Sequence, residues 1–187
     1  MNHGRDEVSQ RLYKAHKTEG WMDKVDLEFL AQLANVSDVT LEIGCYKGRT
    51  THVLSLSKVL FTVDPFIGVH SEEGIKEDYL KNIPYKNTFL IEACFYKTVV
   101  PKVIFACNKP DLIFIDGNHE EEEVDNDIRY ALELIKNDGI IAGHDINNTY
   151  PGVRKSVEKY FKHYLTTEKQ GGNIWYSTFR NKEKSNG

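Results

Sequence analysis

Five short apolar runs are spaced along the chain, each bounded by turn residues: 39–44 (VTLEIG), 59–64 (VLFTVD), 88–93 (TFLIEA), 111–116 (DLIFID) and 139–145 (GIIAGHD). They are rich in Val, Ile and Phe and do not alternate strictly, which predicts strands buried on both faces of a parallel sheet. TFLIEA is the least apolar of the set. Between the runs the period changes. Val124, Ile128, Ala131, Leu132 and Ile135 fall on one helical stripe, and Val153, Val157, Tyr160, Phe161 and Tyr164 repeat that logic. Pro151, after the polar Asn147-Asn148-Thr149, marks the first turn of the second helix. Strands alternating with helices predict a doubly wound α/β sheet. Near the end, Gly171-Gly172 predicts a turn, 173–180 (NIWYSTFR) a closing strand and 165–169 (LTTEK) its hairpin partner, so the sheet gains an antiparallel edge. No repeat or linker interrupts the pattern. Residues 1–187 therefore read as one domain, with 1–20 as an N-terminal extension and 181–187 as a frayed, disordered tail.

Composition narrows the class. With 187 residues, 40% of them hydrophobic, the chain is long enough to build a core without disulfides or a structural metal. Cys45, Cys94 and Cys107 have no zinc-ligand or CxxC spacing and read as small buried hydrophobes in a reducing compartment. No leader-like or membrane-length apolar segment is evident, so the expected location is cytoplasmic. A net charge of −4 argues against nucleic acid as a partner. The charge is uneven, because the seven acids from Asp116 to Asp127 contribute −7 with no base among them.

The chemistry gathers at the predicted carboxyl ends of the strands, where open α/β sheets bind ligands. The first strand runs into LEIGCYKGRTT, where Gly44 permits close backbone approach and Gly48 turns the chain into a helix begun by Arg49, Thr50 and Thr51. Tyr46 stands where a dinucleotide-binding GxGxxG would need its second glycine. Asp64, twenty residues after Gly44, is placed to accept hydrogen bonds from ribose hydroxyls; a plain loop aspartate is the alternative. Glu42, within a strand, must find a ligand amine, a backbone donor or a lysine.

At the fourth and fifth strand ends, Asp116 and Asp145 are expected to emerge side by side, with His119, His144 and Asn147 nearby. Asp116, His144 and Asp145 form a candidate ligand set for Mg²⁺ or a similar cation. His144 also reads as a supporting residue if it alternates away from Asp145. His119 has three readings: general base, metal ligand, or a structural residue that caps the next helix or hydrogen-bonds within the loop. Glu120 to Glu123 fall at a helix N-terminus, which favours negative charge, so they are not counted as ligands, although one could line the entrance.

The blocks TEGWM, LEFLAQLA, LEIGCYKGRTT, VDPFIG, IDGNHEEEEVDNDI, GIIAGHD and YPGVRKSVEKYF together resemble the class I S-adenosylmethionine-dependent methyltransferases, over roughly Thr18 to Tyr164. Within them the chain is similar to the small-molecule O-methyltransferase group with a DGxH motif after strand four. The resemblance implies a Rossmann-like sheet of order 3-2-1-4-5-7-6 and S-adenosylmethionine as cofactor. By position it implies that Glu42, Gly44, Cys45, Tyr46, Gly48 and Thr50 form the cofactor turn. Asp64 is then the ribose acid, Pro65 and Phe66 pack near adenine, Ala93 and Cys94 lie on the adenine side, and Asp116 borders the cofactor. Asp116, His119 and Asp145 are the implied catalytic residues, acting on a small hydroxylated acceptor such as a sugar, with Mg²⁺ as a candidate assisting cation. Two other classes stay open: a nicotinamide-dependent oxidoreductase, which Tyr46 disfavours, and a non-catalytic S-adenosylmethionine-binding protein. Only 20 residues precede Trp21, so a second subunit of a homo-oligomer is a candidate cover for the acceptor site.

Overall fold

The computed structural model describes residues 3–67 and 72–180, and the predicted tail 181–187 lies outside the described residues. Strands β1 (Val39–Ile43), β2 (Val59–Val63), β3 (Thr88–Ile91), β4 (Leu112–Ile115) and β5 (Ile140–Gly143) run parallel. Strand β7 (Trp175–Thr178) is antiparallel to both β5 and β6 (Leu165–Thr166). The order is β3-β2-β1-β4-β5-β7-β6, as the resemblance implied. The hairpin turns through Gly171, whose φ of 84° suits glycine.

Side chains alternate across the strands, and the alternation explains the two cores. Leu41, Ile43, Ile113, Ile115 and Ile141 face a core shared with α6 (Glu121–Leu134) and α7 (Pro151–Tyr160). Leu60, Leu112, Phe114 and Ala142 face the other, shared with α1 (His3–Lys17), α2 (Lys24–Ala34) and α3 (Arg49–Leu54). Truncating the fully buried Leu41 or Phe114 to alanine costs about 2–5 kcal/mol. The connections α4 (Ile75–Asn82) and α5 (Val100–Ile104) complete the helices.

The N-terminal extension is mostly helix. Val8, Leu12 and Ala15 put an apolar stripe of α1 against the second core, and buried His52 of α3 contacts both the Thr18 hydroxyl (2.9 Å) and the Tyr85 hydroxyl (2.7 Å). Of the cysteines, only Cys45 is buried; Cys94 is half-buried and Cys107 is exposed, because it lies in the turn after α5 rather than in a strand or helix. Among the described residues no helix is long and apolar enough to cross a membrane.

Candidate functional site

The carboxyl ends of β1, β2, β4 and β5 open on one cavity of about 770 Å³, within the range of small-molecule sites. Its floor is the turn after β1. Gly44 has φ 81°, and a Cβ there would lie 2.2 Å from the Asp116 carbonyl oxygen. The glycine is needed for the close approach of the chain to itself, with the turn after β1 pressed against the turn after β4. Gly48, φ 92°, then caps α3.

Asp64 holds this turn. Its Oδ2 accepts the backbone N–H groups of Cys45 (2.8 Å) and Tyr46 (2.9 Å), and Oδ1 accepts that of Phe66 (2.7 Å). A carboxylate offers about four acceptor sites. Three serve the backbone, so one remains for a ligand hydroxyl where two had been expected. The expectation missed the cost of leaving the turn's own N–H groups unpaired.

The rim is assembled by cations. Arg49 donates to the carbonyls of Ala15 (3.0 Å), Thr18 (2.8 Å) and Met22 (2.8 Å), which ties the end of α1 and the following loop to α3. That loop sets the Trp21 ring 5.0 Å from the Tyr46 ring. Lys47 bridges Glu19 (2.8 Å) and Glu72 (2.5 Å), and the Tyr46 hydroxyl donates to Glu72 (2.7 Å). Hydrogen bonds donated to these two carboxylates hold the Lys47 ammonium well above the ordinary lysine range.

At the reaction end, β4 and β5 pair with Ile115 opposite Gly143, so the chain continues with Asp116 opposite His144 rather than opposite Asp145. Asp145 is brought back by its own backbone, a non-glycine residue at φ 60°. Three carboxylates then surround one imidazole. His144 Nδ1 lies 3.4 Å from Asp145 and 3.6 Å from Asp116, and its Nε2 lies 3.5 Å from buried Asp26 of α2. Burial opposes a charge on this ring, but Asp116, Asp145 and Asp26 outweigh it and hold His144 in the protonated form. Asp26 is itself anchored, accepting from the Thr167 hydroxyl (2.8 Å) and the Asn173 N–H (2.9 Å).

His119 does not cap the next helix, whose N-cap is Glu120; in the turn before it, Asn118 Oδ1 accepts the Glu120 N–H at 2.8 Å. The His119 ring stacks on Tyr150, 4.2 Å between centroids, with Nε2 at 2.7 Å from Asp145 Oδ2. That contact lies off the line of a well-formed hydrogen bond. It still raises the imidazole above its ordinary value, and burial only partly opposes the shift. Gly152 permits the arrangement, since a Cβ there would meet the His119 carbonyl oxygen at 2.7 Å and hold α7 off. For Asp145, burial favours the neutral acid, but His119 and His144 override it and hold the carboxylate ionised far below the usual range.

Gly44, Cys45, Tyr46, Thr50, Asp64, Pro65, Phe66, Cys94, Asp116, His119, His144 and Asp145 all line the cavity, whereas Glu42, Gly48 and Ala93 do not. Glu42 shares the parity of the strand residues that face α3. It is fully buried there, accepts the Thr51 hydroxyl at 2.6 Å, and is pushed well up by burial. It therefore meets a hydroxyl in place of the amine, backbone donor or lysine expected. Among the four glutamates, Glu123 lines the cavity. Asp116, His144 and Asp145 can bring one ligand atom each within 4.8 Å of one another. The two carboxylates fit a divalent cation, while His144 offers a nitrogen lone pair only after losing its proton. Sequence reasoning missed Asp26 and Asp127. The signal was present, because both acids fall on otherwise apolar stripes, Asp26 with Leu30 and Ala34, and Asp127 with Ala131 and Leu134.

A family profile described as a methyltransferase domain matches residues 41–146. The chain is 30% identical over 141 residues to an uncharacterized protein, R132, of Acanthamoeba polyphaga mimivirus, covering 71% of this chain and 64% of that protein, so it spans less than two thirds of that relative's length. Among solved structures, it is similar to the O-methyltransferase from Bacillus cereus in complex with SAH, with 17% identity, a TM-score of 0.62, and 96% and 92% of the two chains covered. It is also similar to the O-methyltransferase TomG from Streptomyces achromogenes, involved in tomaymycin synthesis and solved with SAM, with 12% identity, a TM-score of 0.64, and 94% and 90% covered. These likenesses establish the shared fold.

Proposed function

Because the chain belongs to the methyltransferase domain family, we propose that it transfers the methyl group of S-adenosylmethionine to a hydroxyl oxygen of a small molecule such as a sugar. The observation that carries the oxygen acceptor is the Asp145–His119 pair, 2.7 Å apart on the cavity wall next to the turn after β1. Two structural relatives support the cofactor, one solved with SAH and one with SAM, each an O-methyltransferase by name.

The cavity suits that cofactor. Asp64 has one acceptor site left for a ribose hydroxyl, and Pro65, Phe66 and Cys94 offer an apolar wall for a base. The acids Asp64, Asp116 and Asp145 make a favourable surrounding for a positively charged sulfonium. When bound, S-adenosylmethionine supplies an electrophilic methyl group.

The protein's own part is orientation and proton removal. With Nε2 turned to Asp145, His119 keeps Nδ1 for the proton of an acceptor hydroxyl, and the carboxylate stabilises the imidazolium that results. Tyr150 stacked on the ring fixes its plane. A divalent cation belongs to the same proposal. Asp116 and Asp145 would hold it through oxygen, and when bound it lowers the pKa of the acceptor hydroxyl.

The test is transfer of labelled methyl from S-adenosylmethionine to a panel of sugars and other hydroxylated small molecules, with added Mg²⁺ and with a chelator. Labelled product with an oxygen acceptor supports the reading, and a drop in rate with chelator supports the cation. Product only with amine acceptors, or none with any acceptor, would refute the oxygen assignment.

A further inference from the structure

Asp127 stands on α6 one turn after Glu123, and its side chain lines the cavity although the residue is only 5% exposed. Among the described residues, no hydrogen bond or ion pair reaches its carboxyl. Burial, reinforced by the charge of Glu123, pushes it up to about 7. A buried, unpartnered carboxyl that borders a cavity is a group whose partner has to come from the ligand.

The surroundings define the ligand edge. Phe95, in the turn after β3, packs its ring 4.8 Å from that of Tyr130 on α6, which closes the compartment on one side. Tyr96 donates to Glu123 at 2.5 Å, so the nearest other acid already has a partner. A Cβ built on Gly117 would come within 3.4 Å of Asp127 Oδ2, so the glycine lets the turn after β4 pass close to the acid. A flat group entering between these turns meets one carboxylic acid at its edge. A neutral carboxyl carries one O–H donor and one carbonyl acceptor side by side, the complement of an amine next to a ring nitrogen.

We infer that Asp127 reads the amino edge of the cofactor's adenine, its O–H donating to a ring nitrogen and its carbonyl oxygen accepting from the exocyclic amine. The inference rests on the S-adenosylmethionine reading and adds to it a specificity-determining residue on α6. The titratable groups around the acid are Glu123 from α6 and Cys94, Tyr96 and Lys97 from the turn after β3.

Calorimetry on the full chain tests this with two ligands, S-adenosylhomocysteine and its analogue lacking the 6-amino group. The wild type should prefer the amino form by about tenfold, the size of one lost hydrogen bond to a buried partner. Asp127→Asn, whose amide offers the same donor and acceptor, should keep the preference, while Asp127→Leu should lose it. Raising the solution from about pH 6 to about pH 8 should weaken S-adenosylhomocysteine binding in the wild type and leave Asp127→Asn unchanged, because only the acid can ionise. An amino preference that survives in Asp127→Leu overturns the assignment alone. No binding of S-adenosylhomocysteine to the wild type overturns the cofactor reading, and this assignment with it.

Discussion

Gly44→Ala probes the contact on which the site is built. The new methyl group would lie 2.2 Å from the Asp116 carbonyl oxygen, 2.6 Å from its carbonyl carbon and 2.7 Å from Gly117 Cα, where ordinary contact begins at 3.4 Å. The nearest atom is about 1.2 Å too close, and all three are backbone, so no side chain can swing away. The substitution also forces alanine to φ 81°, which costs about 1–2 kcal/mol. Relief of the overlap by moving the turn adds about 1–3 kcal/mol. Gly171→Ala separates the two effects, since it has φ 84° with nothing within 4 Å of its added Cβ. Thermal and urea unfolding of both variants should show Gly44→Ala losing about 2–5 kcal/mol, roughly 5–15 °C for a chain of this size, against about 1–2 kcal/mol for Gly171→Ala. The displaced turn carries Asp116, so Gly44→Ala should also lose activity at temperatures where it is still folded. Equal costs for the two alanines would refute the argument that Gly44 exists for the approach of β4.

His119→Gln should lower the rate of methyl transfer by about 10²–10⁴ while sparing cofactor affinity, measured by steady-state kinetics and calorimetry; an unchanged rate removes His119 from the chemistry. In the wild type the base must be neutral, and Asp145 raises its pKa, so the rate should climb with pH through a midpoint above about 6.5, and the climb should vanish in His119→Gln. His52 is 2% exposed and burial lowers its pKa to about 4, so it stays neutral in the fold while the unfolded chain takes up a proton below about 6.5. Stability should therefore fall by about 2 kcal/mol from pH 7 to pH 5, and urea titrations of His52→Gln should show a correspondingly shallower slope.

Much of this arrangement was legible from hydrophobic spacing. The five apolar runs became β1 to β5, and the Pro151 and Gly171-Gly172 signals fell at the start of α7 and in the final hairpin. The N-terminal helix was hidden because α1 offers only Val8, Leu12 and Ala15 to the core in an otherwise polar segment. Counting residues from strand to strand placed Asp116 beside Asp145, whereas register places it beside His144, and a left-handed backbone at Asp145 restores the pair. A single residue's φ is not written in composition or periodicity. Nor could spacing show that Asp64 would spend most of its acceptor capacity on the chain itself. Acids on apolar helix stripes were a readable signal. Asp26 and Asp127 both carry it, and each lies beside the cavity or one residue removed from it.

Titration calorimetry of the wild type with S-adenosylhomocysteine and, separately, with NAD tests whether this cavity binds S-adenosylmethionine. S-adenosylhomocysteine should bind saturably at one site per chain, with weaker binding in Asp64→Ala, and NAD should give no heat. Saturable NAD binding with no response to S-adenosylhomocysteine would contradict it.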